Sequence, residues 1–570
     1  MALHHFNLVE GCLYRTPLLL ETKSPTDMSW DLGFHHANRG KPPKPNGPTV
    51  SDAEAYMAGY KHSRQKKGDD GGQPQGRRDR PEQDIEPSLT LPVHDVPEST
   101  RTLASAIAKA GGRALVIGGA VRDKLMGKSP KDWDVEVYGL DTEKLIQVMS
   151  TLGQVDAVGK QFGVLKIVIG DEDFDVSVPR REVKTGAGHR DYEIQPDPTM
   201  TIKEAARRRD FTMNTVAMDP HTGETFDPYN GVADIKNRVL RATDPGVFVE
   251  DALRILRGAQ FAARFRMTVE PRTMQLMQQA SPELADLPVE RVGAEWRKLL
   301  MKGEKPSLGM DVMKQTGALR VLHPELDAME DTPQDPQWHP EGDVWIHTKM
   351  VTDRATEITQ GMDPEMQEVV RYAALMHDIA KPTMTTHHDD GHIRSRGHEE
   401  GGGVLIGQMF RQQFDVSKDL VEKVAKITTD HIKPQIFFID RHKLTDSAIR
   451  RLAGRLHPAT IEELVHTAHA DHTGRGEQGA HDFPAGDWLL QRAEELGVNR
   501  EPVKPLLMGR HLIQMGIKPG PHMGPILRKV FDMQVDGQVS DLEGAVAAAR
   551  QLAGLPPRDP GLQRESLNLV

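Results

Sequence analysis

The chain has 570 residues, 37% of them hydrophobic and 51 of them glycine, so it has the make-up of a globular protein of three or four domains, and disorder throughout is excluded. Its net charge of −11 excludes a wholly basic nucleic-acid coat protein, though not a local basic face. The single cysteine, Cys12, excludes a disulfide framework and a cysteine-based zinc site; no apolar run approaches the ~20 residues that span a bilayer. With no signal-peptide pattern at the N-terminus, the expected compartment is the cytoplasm.

Residues 1–97 read as a disordered or linker-like extension. The stretch 39–97 is rich in Pro, Gly and charge and carries no apolar periodicity. Lys61, Arg64, Lys66 and Lys67 could touch RNA there; a solvated tail is the plainer reading. A nucleotide-handling unit is expected over 98–240. It opens with an amphipathic helix over 100–110 that ends at Gly111-Gly112. A strand over 114–117, the Gly118-Gly119 turn, a helix over 120–126, a strand over 135–138 and a helix over 141–152 follow. Strands over 162–169 and 173–178 flank the turn 170–172. A helical neck is expected over 241–335, where Leu253, Leu256, Phe261 and Phe265 are spaced for one helix face. Residues 336–480 are helical and rich in histidine, and 481–570 are helical with Gly-Pro breaks near 516–525. The fold class is α+β, a mixed-sheet head followed by mostly α-helical domains.

Several segments carry chemistry. Gly118-Gly119-Ala120-Val121-Arg122-Asp123 lies between a strand and a helix, where glycines let backbone N–H groups approach phosphate. Asp132 and Asp134 are two apart at the start of a strand and so share a face; paired carboxylates there can hold Mg²⁺, or simply cap the loop. Asp175 on a later strand is either a third metal carboxylate or an exposed strand residue. Arg208-Arg209 suits a triphosphate, because guanidinium donors match phosphate oxygens. Asp251 and Arg254 share a helix face; they offer an acceptor and a donor fork to a base edge, or form an ordinary ion pair.

GGAVRD, D-x-D, RRDFT-x-N, ED-x-x-R and FAARF, in that order over about 112–270, resemble the class II tRNA nucleotidyltransferase and bacterial poly(A) polymerase superfamily. The resemblance implies a polymerase-β-like head with helical neck and body. It implies that Asp132 and Asp134 bind catalytic Mg²⁺, with Asp175 as a third carboxylate. Gly118, Gly119 and Arg122 would line the triphosphate and ribose side. Arg209, Asp210, Asn214 and Arg257 would shape the nucleotide pocket. Asp251 and Arg254 would bond the incoming base, choosing CTP and then ATP without a template.

A second set of residues lies between 345 and 475: His347, His377-Asp378 and Asp471, with His398 and His431 between them. Imidazole with carboxylate suits Zn, Mn, Fe, Co or Ni better than Ca; the bland alternative is a chain that is simply His-rich, with 25 in all. DVWIHT, ALMHDIAKP and AHADHTGRG resemble the HD superfamily of metal-dependent phosphohydrolases, which implies His347, His377, Asp378 and Asp471 as ligands of a transition metal such as Ni²⁺, Mn²⁺ or Co²⁺. RSRGHEEGG and TTDHIKP resemble the segments that carry the extra ligands of dinuclear members, here His398 and His431. Residues 505–536 resemble the C-terminal part of bacterial tRNA nucleotidyltransferases, with His511 where that family commonly has Asp. The Gly516–Gly524 turn there can offer N–H groups to an RNA phosphate, or serve only as a tight connector.

The leading expectation is an enzyme that adds CCA, or part of it, to tRNA 3′ ends from CTP and ATP, with an HD phosphohydrolase attached. A poly(A) polymerase or A-adding enzyme is the nearest alternative. An HD hydrolase whose head only grips nucleotide or RNA is the alternative of another class. The partners implied are tRNA or other RNA 3′ ends and nucleoside triphosphates, with no membrane; oligomeric state is left open.

Overall fold

A computed structural model of the chain describes residues 85–156, 164–170, 172–184, 192–475 and 482–556. The expected N-terminal extension falls outside the described residues as far as residue 84, its four basic residues included.

Among the described residues, eight strands form one mixed sheet. They are β1 (Leu89–Thr90), β2 (Arg113–Ile117), β3 (Val135–Tyr138), β4 (Gln154–Asp156), β5 (Val164–Ile169), β6 (Glu172–Ser177), β9 (Ala217–Met218) and β10 (Glu224–Phe226). The order is β1-β10-β9-β2-β3-β6-β5-β4, and β7 (Arg180–Lys184) pairs with β8 (Tyr192–Pro196) as a separate hairpin. Every pair in the large sheet is antiparallel except β3 with β6. Successive side chains of a strand point to opposite faces. Val135 and Val137 accordingly enter one core with Leu103, Ile107 and Leu145. Tyr138, with Leu115 and Ile117 of β2, enters another against Ile202 and Phe226.

The head begins upstream of the expected residue 98. Leu89 pairs with Thr225, Leu91 donates its N–H to the Gly223 carbonyl at 2.8 Å, and Val96 is buried in the head core. A two-residue edge strand in a Pro-rich setting leaves no periodicity to read, which is why composition hid it.

The helical part is less divided than the sequence implied. One core runs from Phe211 of the head, through the neck helix Leu253–Phe265, to Val498. It takes in the helix Pro484–Glu495, which was expected to belong to the C-terminal region. The C-terminal unit has its own core from Leu507 to Ala549. Among the described residues no helix is long and apolar enough to cross a membrane.

Candidate functional site

A cleft of about 420 Å³ lies between the Gly118 turn and the neck helix. Gly118, at φ +69°, caps the helix Gly119–Leu125, a backbone conformation that L side chains seldom adopt. Ten of the sequence-predicted residues line the cleft: Gly118, Gly119, Arg122, Asp134, Arg209, Asp210, Asn214, Asp251, Arg254 and Arg257. Sequence reasoning missed Gln260, Phe261, Arg264, Lys298 and Lys302. Of the side chains on this wall, seven are cationic and three are carboxylates, a balance that favours a polyanionic ligand.

The wall is braced by a continuous chain of hydrogen bonds. Arg257 donates to Asp210 at 2.7 Å, Asn214 Nδ2 donates to Asp210 Oδ1 at 2.9 Å, and Arg122 donates to Asn214 Oδ1 at 2.9 Å and to Asp123 at 2.7 Å. The Arg122 guanidinium also sits 4.7 Å from the centre of the Phe265 ring. Burial pushes the Asp210 carboxyl up, but the Arg257 charge and the hydrogen bonds from Asn214 and the Phe211 N–H together hold it below its ordinary value.

Arg254 and Asp251 are not spent on each other. Arg254 donates to the Val247 carbonyl and, at 2.8 Å, to that of Arg208, while Asp251 accepts the Leu253 N–H and stands 4.0 Å from Arg291. The ion-pair alternative for these two residues is therefore not what the structure forms. Arg209 is steadied by Glu136, a fully buried carboxylate at 3.5 Å that also accepts from Tyr138 at 2.7 Å. Glu136 was not foreseen; its signal was an acidic residue inside an otherwise apolar strand.

Asp134 and Asp175 occupy neighbouring positions. Val135 of β3 is in register with Val176 of β6 in a parallel pair, and stepping that register back one residue sets Asp134 beside Asp175. Asp132 lies two residues before Asp134. Burial raises the Asp134 carboxyl, and the negative charges of Asp175 and Asp132 raise it further, against the pull of Arg209. Asp132 and Asp175 are exposed and do not line the cleft. Asp175 pairs with Lys166 at 3.3 Å. Among the described residues the three aspartates do not close into a metal-sized group.

The histidine cluster does close. His347, His377 and Asp471 form one metal-sized group, and Asp378, His398 and His431 form a second. His347 comes from the helix Val344–Ile358, His377 caps the helix Pro364–Met376, and Asp471 lies on the helix Ile461–Thr473. His347 Nε2 is 3.0 Å from Asp471 Oδ1 and 3.3 Å from His377 Nε2. Asp378 joins the two groups: its Oδ2 is 3.2 Å from His377 Nε2 and its Oδ1 is 3.2 Å from His398 Nε2. Lys381, which was not foreseen, reaches Asp378 at 2.7 Å. These approaches are close but not aligned as hydrogen bonds, which leaves both buried oxygens of Asp378 without a fitted donor. Such a donor set, in which buried carboxylate oxygens face imidazole nitrogens, fits a transition-metal ion. His431 is fully buried, and burial with the charges of His377 and His398 pushes its pKa down to about 4, so its ring is neutral at pH 7.

His511 is buried on the helix Gly509–Gln514, where its Nδ1 accepts the Met508 N–H at 3.0 Å. It does the capping work that a carboxylate would do in that place.

Three family models match the chain: the poly A polymerase head domain over 114–241, the probable RNA- and SrmB-binding site of polymerase A over 266–330, and the HD domain over 344–476. A multifunctional CCA protein of Xanthomonas campestris pv. campestris (strain B100) is 34% identical over 418 residues, covering 72% of this chain and 95% of its own. One from Stenotrophomonas maltophilia (strain K279a) is 35% identical over 384 residues, covering 66% and 89%. Among solved structures, a CCA-adding enzyme of Bacillus stearothermophilus in complex with CTP covers 80% of this chain and 98% of its own at 19% identity, with a TM-score of 0.56. A CCA-adding enzyme of Thermotoga maritima complexed with tRNA covers 81% and 97% at 19% identity, with a TM-score of 0.51. These two share the fold of this chain.

Proposed function

The chain belongs to the multifunctional CCA protein family, and from that premise we propose that it adds C, C and A to tRNA 3′ ends from CTP and ATP without a template. The observation that carries this reading is the cleft, which gathers residues of all five motifs under a cationic wall. The RNA 3′-hydroxyl oxygen attacks the α-phosphorus, the new P–O bond forms as the α–β anhydride bond breaks, and pyrophosphate leaves while the hydroxyl proton is lost. Arg209, Arg257 and Arg264 offer charge to the triphosphate, which the protein positions rather than bonds covalently. The base edge would meet Asp251, whose Oδ2 is engaged only distantly, and Arg254, whose two carbonyl contacts fix its fork.

Asp132 and Asp134, with Asp175 beside them, are hard oxygen donors that suit Mg²⁺. Bound there, that ion would lower the hydroxyl pKa and stabilise the leaving pyrophosphate. The histidine cluster would hold Ni²⁺, Mn²⁺, Co²⁺ or a similar ion in a phosphohydrolase site for a 2′,3′-cyclic phosphate, a 2′-nucleotide or a simple phosphate ester. The chemistry such an ion supplies when bound is activation of water for attack on phosphorus. The cytoplasm is the compartment this reading implies.

The test is an addition assay with Mg²⁺ and tRNAs that end before CCA, after C and after CC, each labelled triphosphate being supplied alone and together. Addition of C, C and A that then stops is expected, and Asp134→Ala should abolish it while tRNA binding persists. A-only addition or long A tails would replace the proposal with an A-adding enzyme or a poly(A) polymerase. Near-normal addition by Asp134→Ala would sink the metal assignment.

A further inference from the structure

The histidines of the metal cluster are oriented in two different ways. An imidazole that ligates through Nε2 must carry its proton on Nδ1, and that N–H needs a fixed acceptor to hold the ring. Three of the four solve this with their own backbone. His377 Nδ1 meets the Ala374 carbonyl at 2.9 Å, His398 Nδ1 that of Ser395 at 2.7 Å, and His431 Nδ1 that of Thr428 at 2.6 Å. Each acceptor lies three residues earlier in the chain, so no side-chain substitution removes it.

No backbone carbonyl accepts from His347 Nδ1. Its Nδ1 is buried, and what faces it is Glu341 Oε1 at 2.8 Å, close though not well aligned. The Glu341 side chain is almost wholly buried, and the same oxygen accepts from His339 Nδ1 at 2.9 Å. One oxygen of Glu341 thus faces two imidazole nitrogens. Its other oxygen is buried without a partner. A buried, unneutralised carboxylate is costly unless its charge is used. Here it is aimed at the one ligand imidazole that lacks a backbone anchor.

The geometry points to Glu341 as the positioning residue of the histidine centre, holding the His347 ring in the tautomer and orientation that present Nε2 to a metal ion. The inference rests on the reading that this cluster binds a metal.

The experiment uses the full chain, stripped of metal and titrated with Co²⁺, with the visible absorption of the bound ion and the stoichiometry as readouts. Glu341→Gln keeps the shape and loses the charge; Glu341→Ala removes both. Either should weaken Co²⁺ binding about 10–100-fold, the usual effect of losing such an outer partner, and shift the absorption band, while thermal unfolding of the metal-free chain stays close to wild type for Glu341→Gln. Glu341→Asp should recover part of the affinity. His339→Ala, which leaves Glu341 facing His347, should change affinity little. Wild-type affinity and spectrum in Glu341→Gln, or an additional ion lost only with His339→Ala, would overturn the assignment. Wild type that binds no Co²⁺ would instead overturn the metal reading itself, a result distinct from the other two.

Discussion

Asp210 shows how one residue of the cleft serves both fold and site. It is buried beneath Arg257 and Asn214, and its carboxyl lies below the ordinary value despite that burial. The unfolded chain therefore takes up this proton at higher pH than the folded one does. The stability Asp210 contributes is complete above its unfolded pKa of about 3.9 and is lost as pH falls through the lower folded value. Asp210→Asn cannot titrate and loses a charge-assisted bond, so it should be less stable at neutral pH by about 1–3 kcal/mol. Its stability should also fall less steeply than that of wild type below about pH 4. Urea unfolding from pH 3 to 7 measures both; parallel profiles would mean that the Asp210–Arg257 bond adds nothing. Asp134 was legible in the sequence as half of a D-x-D pair on one strand face, and Asp210 and Arg257 through the motifs that carry the family resemblance. Glu136, Glu341 and Lys298 were not. Each acts on a partner 30 or more residues away, or stands in a loop or on a helix flank where a charged residue is ordinary.

At the scale of elements, periodicity served the helices well and short edge strands badly. The strand Val135–Tyr138 stands where it was expected, and the first helix, expected over 100–110, is Glu98–Lys109. Two-residue β1 and the affiliation of the helix Pro484–Glu495 could not be read, since one depends on a partner strand and the other on which core receives a face. The helix Gly509–Gln514 adds a local case. His511 stands at its third position and accepts the N-cap N–H, a place where Glu or Gln is usual. Burial, then the nearby Arg510 charge, lowers the His511 pKa, which keeps the ring a neutral acceptor at pH 7. His511→Ala should cost about 0.5–2 kcal/mol, by analogy with other lost caps, and speed amide exchange over 509–515. His511→Asp restores an acceptor and should restore protection. Equal exchange in all three proteins would show that the cap is idle.

At the scale of the molecule, one helix joins the two candidate sites. Val289–Lys302 presents Lys298 and Lys302 to the nucleotide cleft, and Trp296, Leu299 and Leu300 to the core it shares with the histidine-bearing helices. Its end is tied down from the far side: Arg371, buried, donates to the Leu300 carbonyl at 2.9 Å, and Arg297 bonds Glu368 at 2.6 Å. At Gly293 the helix runs close to the segment after His398–Gln413: a Cβ there would stand 2.1 Å from the Phe414 carbonyl oxygen. That oxygen is backbone and cannot swing aside, so Gly293→Ala must push the helix Val289–Lys302 off that segment. Such overpacking typically costs about 1–3 kcal/mol. Gly454, inside the helix Asp446–Leu456, has nothing within 4 Å of its would-be Cβ. Alanine there should instead gain up to about 1 kcal/mol from helix propensity. Melting temperatures should therefore move in opposite directions for the two glycine-to-alanine changes. Gly293→Ala should also raise the KM for triphosphate, because the displaced helix carries two lysines of the cleft. A melting temperature that rises in both variants would mean that the neck and the histidine domain are not packed as closely as this helix implies.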